Sequence, residues 1–207
     1  PDNRTASWLE RRELGGGVLV EVAVHTFDLW HYLLQSKVEE LHVIAQPGRW
    51  ADDTAMISAR LVDGMLATAL HCKGTANSYE VELYGQKGRL RISLLQLDGL
   101  QFLPASAYPG QVRTRLANVA RGLLSLSSLL PYFRAGGDYA GAFRAQWQHF
   151  VSAIQRDLPV ETSLADGRRA VQVAIAAVQS ASTGKPVQVS RAARSIEGAL
   201  SEAGGVD

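Results

Sequence analysis

The sequence predicts an α+β domain: an open, mostly antiparallel β-sheet with helices packed on one of its faces. Three observations carry that prediction. From Val38 to Leu103 short β-rich segments are broken by turn sequences; the apolar residues in those segments alternate; and the stretches on either side show helical spacing and cap signals. A chain of 207 residues suits one large domain or two small ones. One domain is expected over residues 1–190, followed by a weakly ordered tail over 191–207, where Ala, Gly, Ser and charged residues offer little to bury.

Gly15-Gly16-Gly17 interrupts an irregular opening, and Val18 to Leu34, free of Gly and Pro, is long enough for a single helix. Next come the turns Asp63-Gly64, Gly85-Gln86-Lys87-Gly88 and Asp98-Gly99. Asp-Gly suits a two-residue primed turn with positive φ at both central positions, which would join Asp53–Val62 to Met65–Lys73. Ala55, Ile57, Ala59 and Leu61 then share one face, opposite Thr54, Ser58 and Arg60. Tyr79, Val81 and Leu83 oppose Glu80 and Glu82 in the same way, and Leu90 and Ile92 oppose Arg89 and Arg91. A sheet with one apolar face needs a covering layer. Phe143, Trp147, Phe150, Val151 and Ile154, at helical spacing after Asp138 as N-cap, are expected to supply part of it. Ser163 with Asp166 forms a capping box before a second helix that Gly184 and Pro186 close, and Val187-Gln188-Val189 returns as a short strand. Residues 111–134, with Arg113, Arg115 and Arg121 among many leucines, read as a helical insertion. An amphipathic surface or subunit contact suits this segment better than phosphate or membrane binding.

Composition narrows the function. With 21 basic and 20 acidic side chains the net charge is +1, so no global field favours nucleic acid or anionic lipid. Cys72 is the single cysteine, which fits a reduced, cytoplasmic setting. The chain has neither a membrane-spanning apolar run nor the pattern of a signal peptide. No Gly-x-Ser-x-Gly marks a nucleophile, and His31, His42 and His149 form no ligand cluster, so no metal is expected.

Chemistry concentrates on the first helix. At about 100° per residue, Glu21, His25, Asp28 and Tyr32 fall on one stripe of a wheel that is otherwise almost wholly apolar. Polar groups on a buried helix must find partners or face a cleft. Glu21 and His25, at i and i+4, can touch, so the carboxylate can orient the imidazole and support its charged form, as a general acid/base requires. A plain ion pair anchoring the helix fits the same spacing.

Several segments together resemble the glucose-fructose oxidoreductase, inositol dehydrogenase and MocA family of NAD(P)-dependent enzymes. They are Ser7-Trp8 to Leu14, Gly15-Gly16-Gly17 leading to Glu21-x-x-x-His25, Asp53-Thr54-Ala55, Tyr84-Gly85-Gln86-Lys87-Gly88-Arg89-Leu90-Arg91, Phe143 to Ile154, Asp166-Gly167, and Ser180 to Val187. The resemblance covers about Ser7 to Val189. Members usually carry Asp and Gly where this chain has Glu21 and Ala23.

What the resemblance implies is the C-terminal, dihydrodipicolinate-reductase-like domain of a two-domain enzyme. The sheet's second face would serve a homodimer or higher oligomer. The reaction would be oxidation of a hydroxyl on a sugar, polyol or sugar derivative, with His25 as general acid/base, Glu21 supporting it, and Trp8, Asp28 and Lys73 lining the substrate pocket. Core packing for Trp8 and solvent exposure for Lys73 fit as well. NAD or NADP would be bound mainly by an N-terminal Rossmann domain, since no Gly-x-Gly-x-x-Gly occurs here, and this chain alone would be inactive. The rival class is a non-catalytic binding or oligomerisation module that keeps the sheet without turnover.

Overall fold

A computed structural model describes residues 7–75, 78–93, 100–108, 111–113, 116, 119, 120, 138–190 and 192. They belong to two compact units, one within residues 1–75 and 161–207 and the other within 76–160.

The first unit opens with two 3₁₀ turns, Ser7–Glu10 and Arg12–Leu14. Helices α1 (Val18–Glu21) and α2 (Ala23–Leu34) follow, and the expected single helix is therefore broken at Val22. Strands β1 (Val38–Gln46), β2 (Thr54–Leu61) and β3 (Leu66–Cys72) form an antiparallel sheet in the order β3-β2-β1. Alternation in β2 holds as expected: Ala55, Ile57, Ala59 and Leu61 are buried, while Met56, Ser58 and Arg60 are exposed.

The Asp63-Gly64 hairpin forms, but with different turn chemistry. Leu61 N–H bonds Met65 O at 2.8 Å, leaving three residues in the loop, and only Gly64 has positive φ, at 85°. Asp63 instead accepts from Met65 N–H through Oδ1 at 3.2 Å. The turn is therefore not a primed one, and Asp63 is spared a positive φ.

The sheet's apolar face is covered by α1, α2 and a long helix, called α4 here (Leu164–Thr183), with the two-residue strand β7 (Val187–Gln188) added beside β1. Val18, Leu19, Phe27, Leu41, Ile57, Val173 and Ala177 form the core. Both expected caps of α4 are present. Ser163 and Asp166 make a reciprocal capping box, in which Ser163 Oγ and Arg169 also bond the Asp166 carboxylate and hold its pKa well below the ordinary range. Gly184 ends the helix. Ser180, fully buried, donates its hydroxyl to Lys185 O at 2.7 Å and accepts from Val43 N–H at 3.0 Å, tying the end of α4 to β1.

The second unit holds a three-stranded antiparallel sheet, β4 (Glu80–Gly85), β5 (Gly88–Ser93) and β6 (Leu100–Pro104), and helix α3 (Asp138–Arg156). Arg91 pairs with Glu80 across the β4–β5 ladder. Helix α3 forms where its periodicity indicated, with Phe143, Trp147, Phe150, Val151 and Ile154 44–67% exposed. The Asp98-Gly99 turn, the tail over 193–207 and most of 111–134 lie outside the described residues; within that last segment 112, 113, 116, 119 and 120 are helical. No helix among the described residues is long and apolar enough to cross a membrane.

Candidate functional site

The start of α1 is held by a residue from the opposite end of the β1–β2 loop. Asp52, 2% exposed, accepts from Leu19 N–H through Oδ2 at 2.8 Å, and its carbonyl accepts from Val18 N–H at 3.0 Å. The carboxylate also pairs with Arg12, whose Nη1 donates to Gly16 O at 2.8 Å. Burial lowers the Arg12 pKa. This packing explains two of the three glycines. Gly17 has φ of 93°, and a Cβ there would lie 2.6 Å from Asp52 Oδ1; at Gly16 it would lie 2.3 Å from Leu9 O. Neither position admits a side chain.

The break at Val22 changes the polar stripe. His25 N–H bonds Val22 O at 3.2 Å, one residue short of the α-helical step, so the chain tightens between Glu21 and His25. Among the described residues no hydrogen bond joins these two side chains. Glu21 pairs instead with Lys73. Solvent exposure, the plainer expectation for Lys73, does not hold: its side chain is only 18% exposed and its Nζ lies 5.3 Å from the centre of the Trp50 ring. His25 is exposed. Asp28 is half-buried and lines a cleft of about 480 Å³ with His31, Lys37, Arg168 and Arg169. Tyr32 projects outward, and Trp8 is 41% exposed, so neither is core. The structure thus brings Glu21 and Lys73 together, keeps His25 one turn further along the same helical segment, and turns Asp28 toward a different cleft.

Three residues that matter here carry no periodic signal. Arg12 and Asp52 form the clamp just described. Trp50 lies in the β1–β2 loop, where Asp53 accepts from Trp50 N–H at 2.7 Å and from Arg49 N–H at 3.0 Å. A tryptophan in a polar loop beside Gly48 is a signal that alternation and helical spacing do not register. His71 was legible in principle, because alternation places it with Ala67 and Ala69 on the inward face of β3. Burial lowers its pKa from the ordinary 6.5, which keeps the imidazole neutral near pH 7.

These groups suit proton handling and hydroxyl recognition. They do not suit a dinucleotide. The glycine-rich approach to α1 resembles a phosphate cradle only in composition: its first amides are already taken by the Asp52 carbonyl and carboxylate, and a buried anion stands where a pyrophosphate would have to lie. Among the described residues no group of three His, Cys, Asp or Glu side chains could hold a metal ion.

Comparison with known proteins agrees with this architecture. The family model described as the oxidoreductase family, C-terminal alpha/beta domain, matches residues 1–189. Myo-inositol 2-dehydrogenase of Thermotoga maritima is 28% identical over 91 residues, 40% of this chain and 27% of that protein. Among solved structures, the WlbA dehydrogenase of Bordetella pertussis, in complex with NADH and UDP-GlcNAcA, superposes with a TM-score of 0.64 at 19% identity, covering 88% of this chain and 51% of that one. A levoglucosan dehydrogenase in complex with NADH and L-sorbose gives 0.64 at 20% identity over 90% of this chain and 54% of that one. The chain therefore spans about half the length of these solved structures.

Proposed function

From the premise that this chain belongs to the oxidoreductase family with the C-terminal alpha/beta domain, matched over residues 1–189, we propose that it is the substrate-side domain of a dehydrogenase acting on a hydroxyl of a sugar, polyol or sugar derivative. The observation that carries the proposal is His25, exposed and one turn beyond the paired Glu21, on a helical segment whose start is clamped by buried Asp52. An imidazole nitrogen of His25 takes the proton of the reacting hydroxyl, and returns it in the reverse direction. Glu21, fixed by Lys73, supplies a negative charge near the imidazolium that forms. Lys73 and Trp8 line the substrate's path, while Asp28, facing another cleft, takes no part in it. NADH is bound in two of the similar structures; the described residues of this chain do not fit a dinucleotide, and in this reading NAD or NADP is held in the intact protein by a preceding dinucleotide-binding domain.

The missing Glu21–His25 bond favours one rival, a module that keeps the fold without turnover. Two variants of the intact gene product separate the readings. With myo-inositol and levoglucosan as substrates, His25→Ala is expected to slow oxidation by roughly 10²-fold or more at unchanged melting temperature. Glu21→Gln has the smaller effect, because Glu21 only supports the imidazole. Full turnover in His25→Ala ends the catalytic assignment and leaves the module.

A second copy of the chain is proposed to cover the sheet's other face, where the cross-strand neighbours Ile44, Met56 and Leu70 are 57–66% exposed. Light scattering of the intact protein should show at least a dimer at tens of micromolar, a concentration range in which ordinary specific contacts assemble. A strict monomer there removes the interface.

A further inference from the structure

Buried polar atoms that lack hydrogen-bond partners are few in a folded protein, and they mark places where a ligand group or water completes the bonding. Among the described residues there are five: Glu21 Oε2, Trp50 Nε1, Asp52 Oδ1, His71 Nε2 and Arg169 Nε. Two of these belong to pairs inside the scaffold, Asp52 with Arg12 and Arg169 with Asp166. The other three lie on Glu21, Trp50 and His71, of which Glu21 and Trp50 each contact Lys73. Glu21 Oε2 meets the Lys73 ammonium as an ion pair, and the carboxylate keeps lone pairs that a further donor can use. The Trp50 ring lies under the Lys73 ammonium at 5.3 Å. His71 is two residues before Lys73, on the inward face of β3.

From this arrangement we infer that Trp50 and His71 form, with Glu21 and Lys73, a hydroxyl-binding subsite for a polyol. The inference rests on the proposed dehydrogenase reading and deepens it by naming residues that recognise the substrate. A hydroxyl is both donor and acceptor, and this cluster offers both kinds of partner. Trp50 Nε1–H can only donate, the Glu21 carboxylate can only accept, and a neutral His71 Nε2 does one or the other according to tautomer. The ammonium of Lys73 donates as well. A phosphate or carboxylate ligand suits the cluster less well, since Glu21 already neutralises Lys73 and would repel a second anion. Leaving each orphan atom without a partner is unfavourable in a buried site, and adjacent hydroxyls of one polyol would satisfy several together.

Trp50 and His71 are thus binding residues, and removing their polar atoms should weaken substrate binding without slowing the chemistry done at His25. The test uses the intact gene product saturated with NADH, with myo-inositol and levoglucosan as probes, and compares wild type with Trp50→Phe and His71→Leu. Calorimetry is expected to show affinity for the polyol that is preferred falling about 5- to 10-fold in each variant, the scale of one neutral hydrogen bond. KM should rise by a similar factor while kcat stays within about threefold. Should Trp50→Phe fail to fold, Trp50→Met, which also lacks the donor, is read in its place. Wild-type affinity in both folded variants overturns the subsite while leaving the His25 assignment standing. A kcat loss at unchanged affinity overturns it too. If wild-type protein binds neither polyol, the dehydrogenase reading and the subsite fall together.

Discussion

Helices α1–α2 and α4 lie on the same sheet and begin in opposite ways. Helix α4 is one uninterrupted helix whose first turn is satisfied by its own neighbours, Ser163 and Asp166. The α1–α2 segment takes its first amide partners from Asp52, 33 positions from Leu19, and is broken one turn later at Val22. The regular helix is scaffold. The irregular one carries Glu21 and His25, and its irregularity is what separates them. A locally capped helix can form before the rest of the fold, whereas a helix capped from a distant loop depends on that loop, so the geometry of the candidate site is tied to the β1–β2 connection.

The largest effect expected from this contrast is at the clamp. Asp52→Ala leaves Arg12 half-buried without its counter-charge and the Leu19 amide short of a partner, and should destabilise the protein by about 3–5 kcal/mol in urea titrations. Gly17→Ala, which forces a Cβ against the Asp52 carboxylate at positive φ, should act in the same direction and cost about 1–3 kcal/mol. Ser163→Ala should cost about 1 kcal/mol, the usual value of an N-cap. Equal losses for Asp52→Ala and Ser163→Ala would erase the distinction between the two helices.

The smallest effect is a change in acid sensitivity. Because burial lowers the folded-state pKa of His71 below its ordinary 6.5, the unfolded chain takes up a proton there first as the pH falls, and stability declines through and below that pH. In His71→Leu the decline in melting temperature between pH 7 and pH 5 should be shallower. An unchanged slope would mean that His71 titrates alike in both states.

The legible parts of the molecule are those written in adjacent residues. Alternation in β2, the capping box at Ser163, the stop at Gly184 and the return strand at Val187 each rest on spacings of a few residues, and each forms as the sequence indicates. The Asp63-Gly64 turn was legible as a location but not as a type, because positive φ at Gly64 alone satisfies a three-residue loop. At the candidate site, spacing identified Glu21, His25 and Asp28 as members of one stripe, but assumed ideal helical geometry through Val22. The Glu21–Lys73 pair, the Asp52 clamp and the approach of Trp50 to Lys73 depend on where β2 and β3 bring their ends, which no local pattern encodes.

The buried hydroxyl of Ser180 has a consequence for how the sheet meets other chains. Strand β7 pairs with β1 only at Glu40 and Leu41, so further along that edge Val43 would present an open amide. Ser180 occupies that amide, so a further strand cannot use it for pairing. Lateral growth of the sheet, the first step of edge-to-edge aggregation, is thereby hindered at the point where β7 ends and β1 would otherwise continue alone.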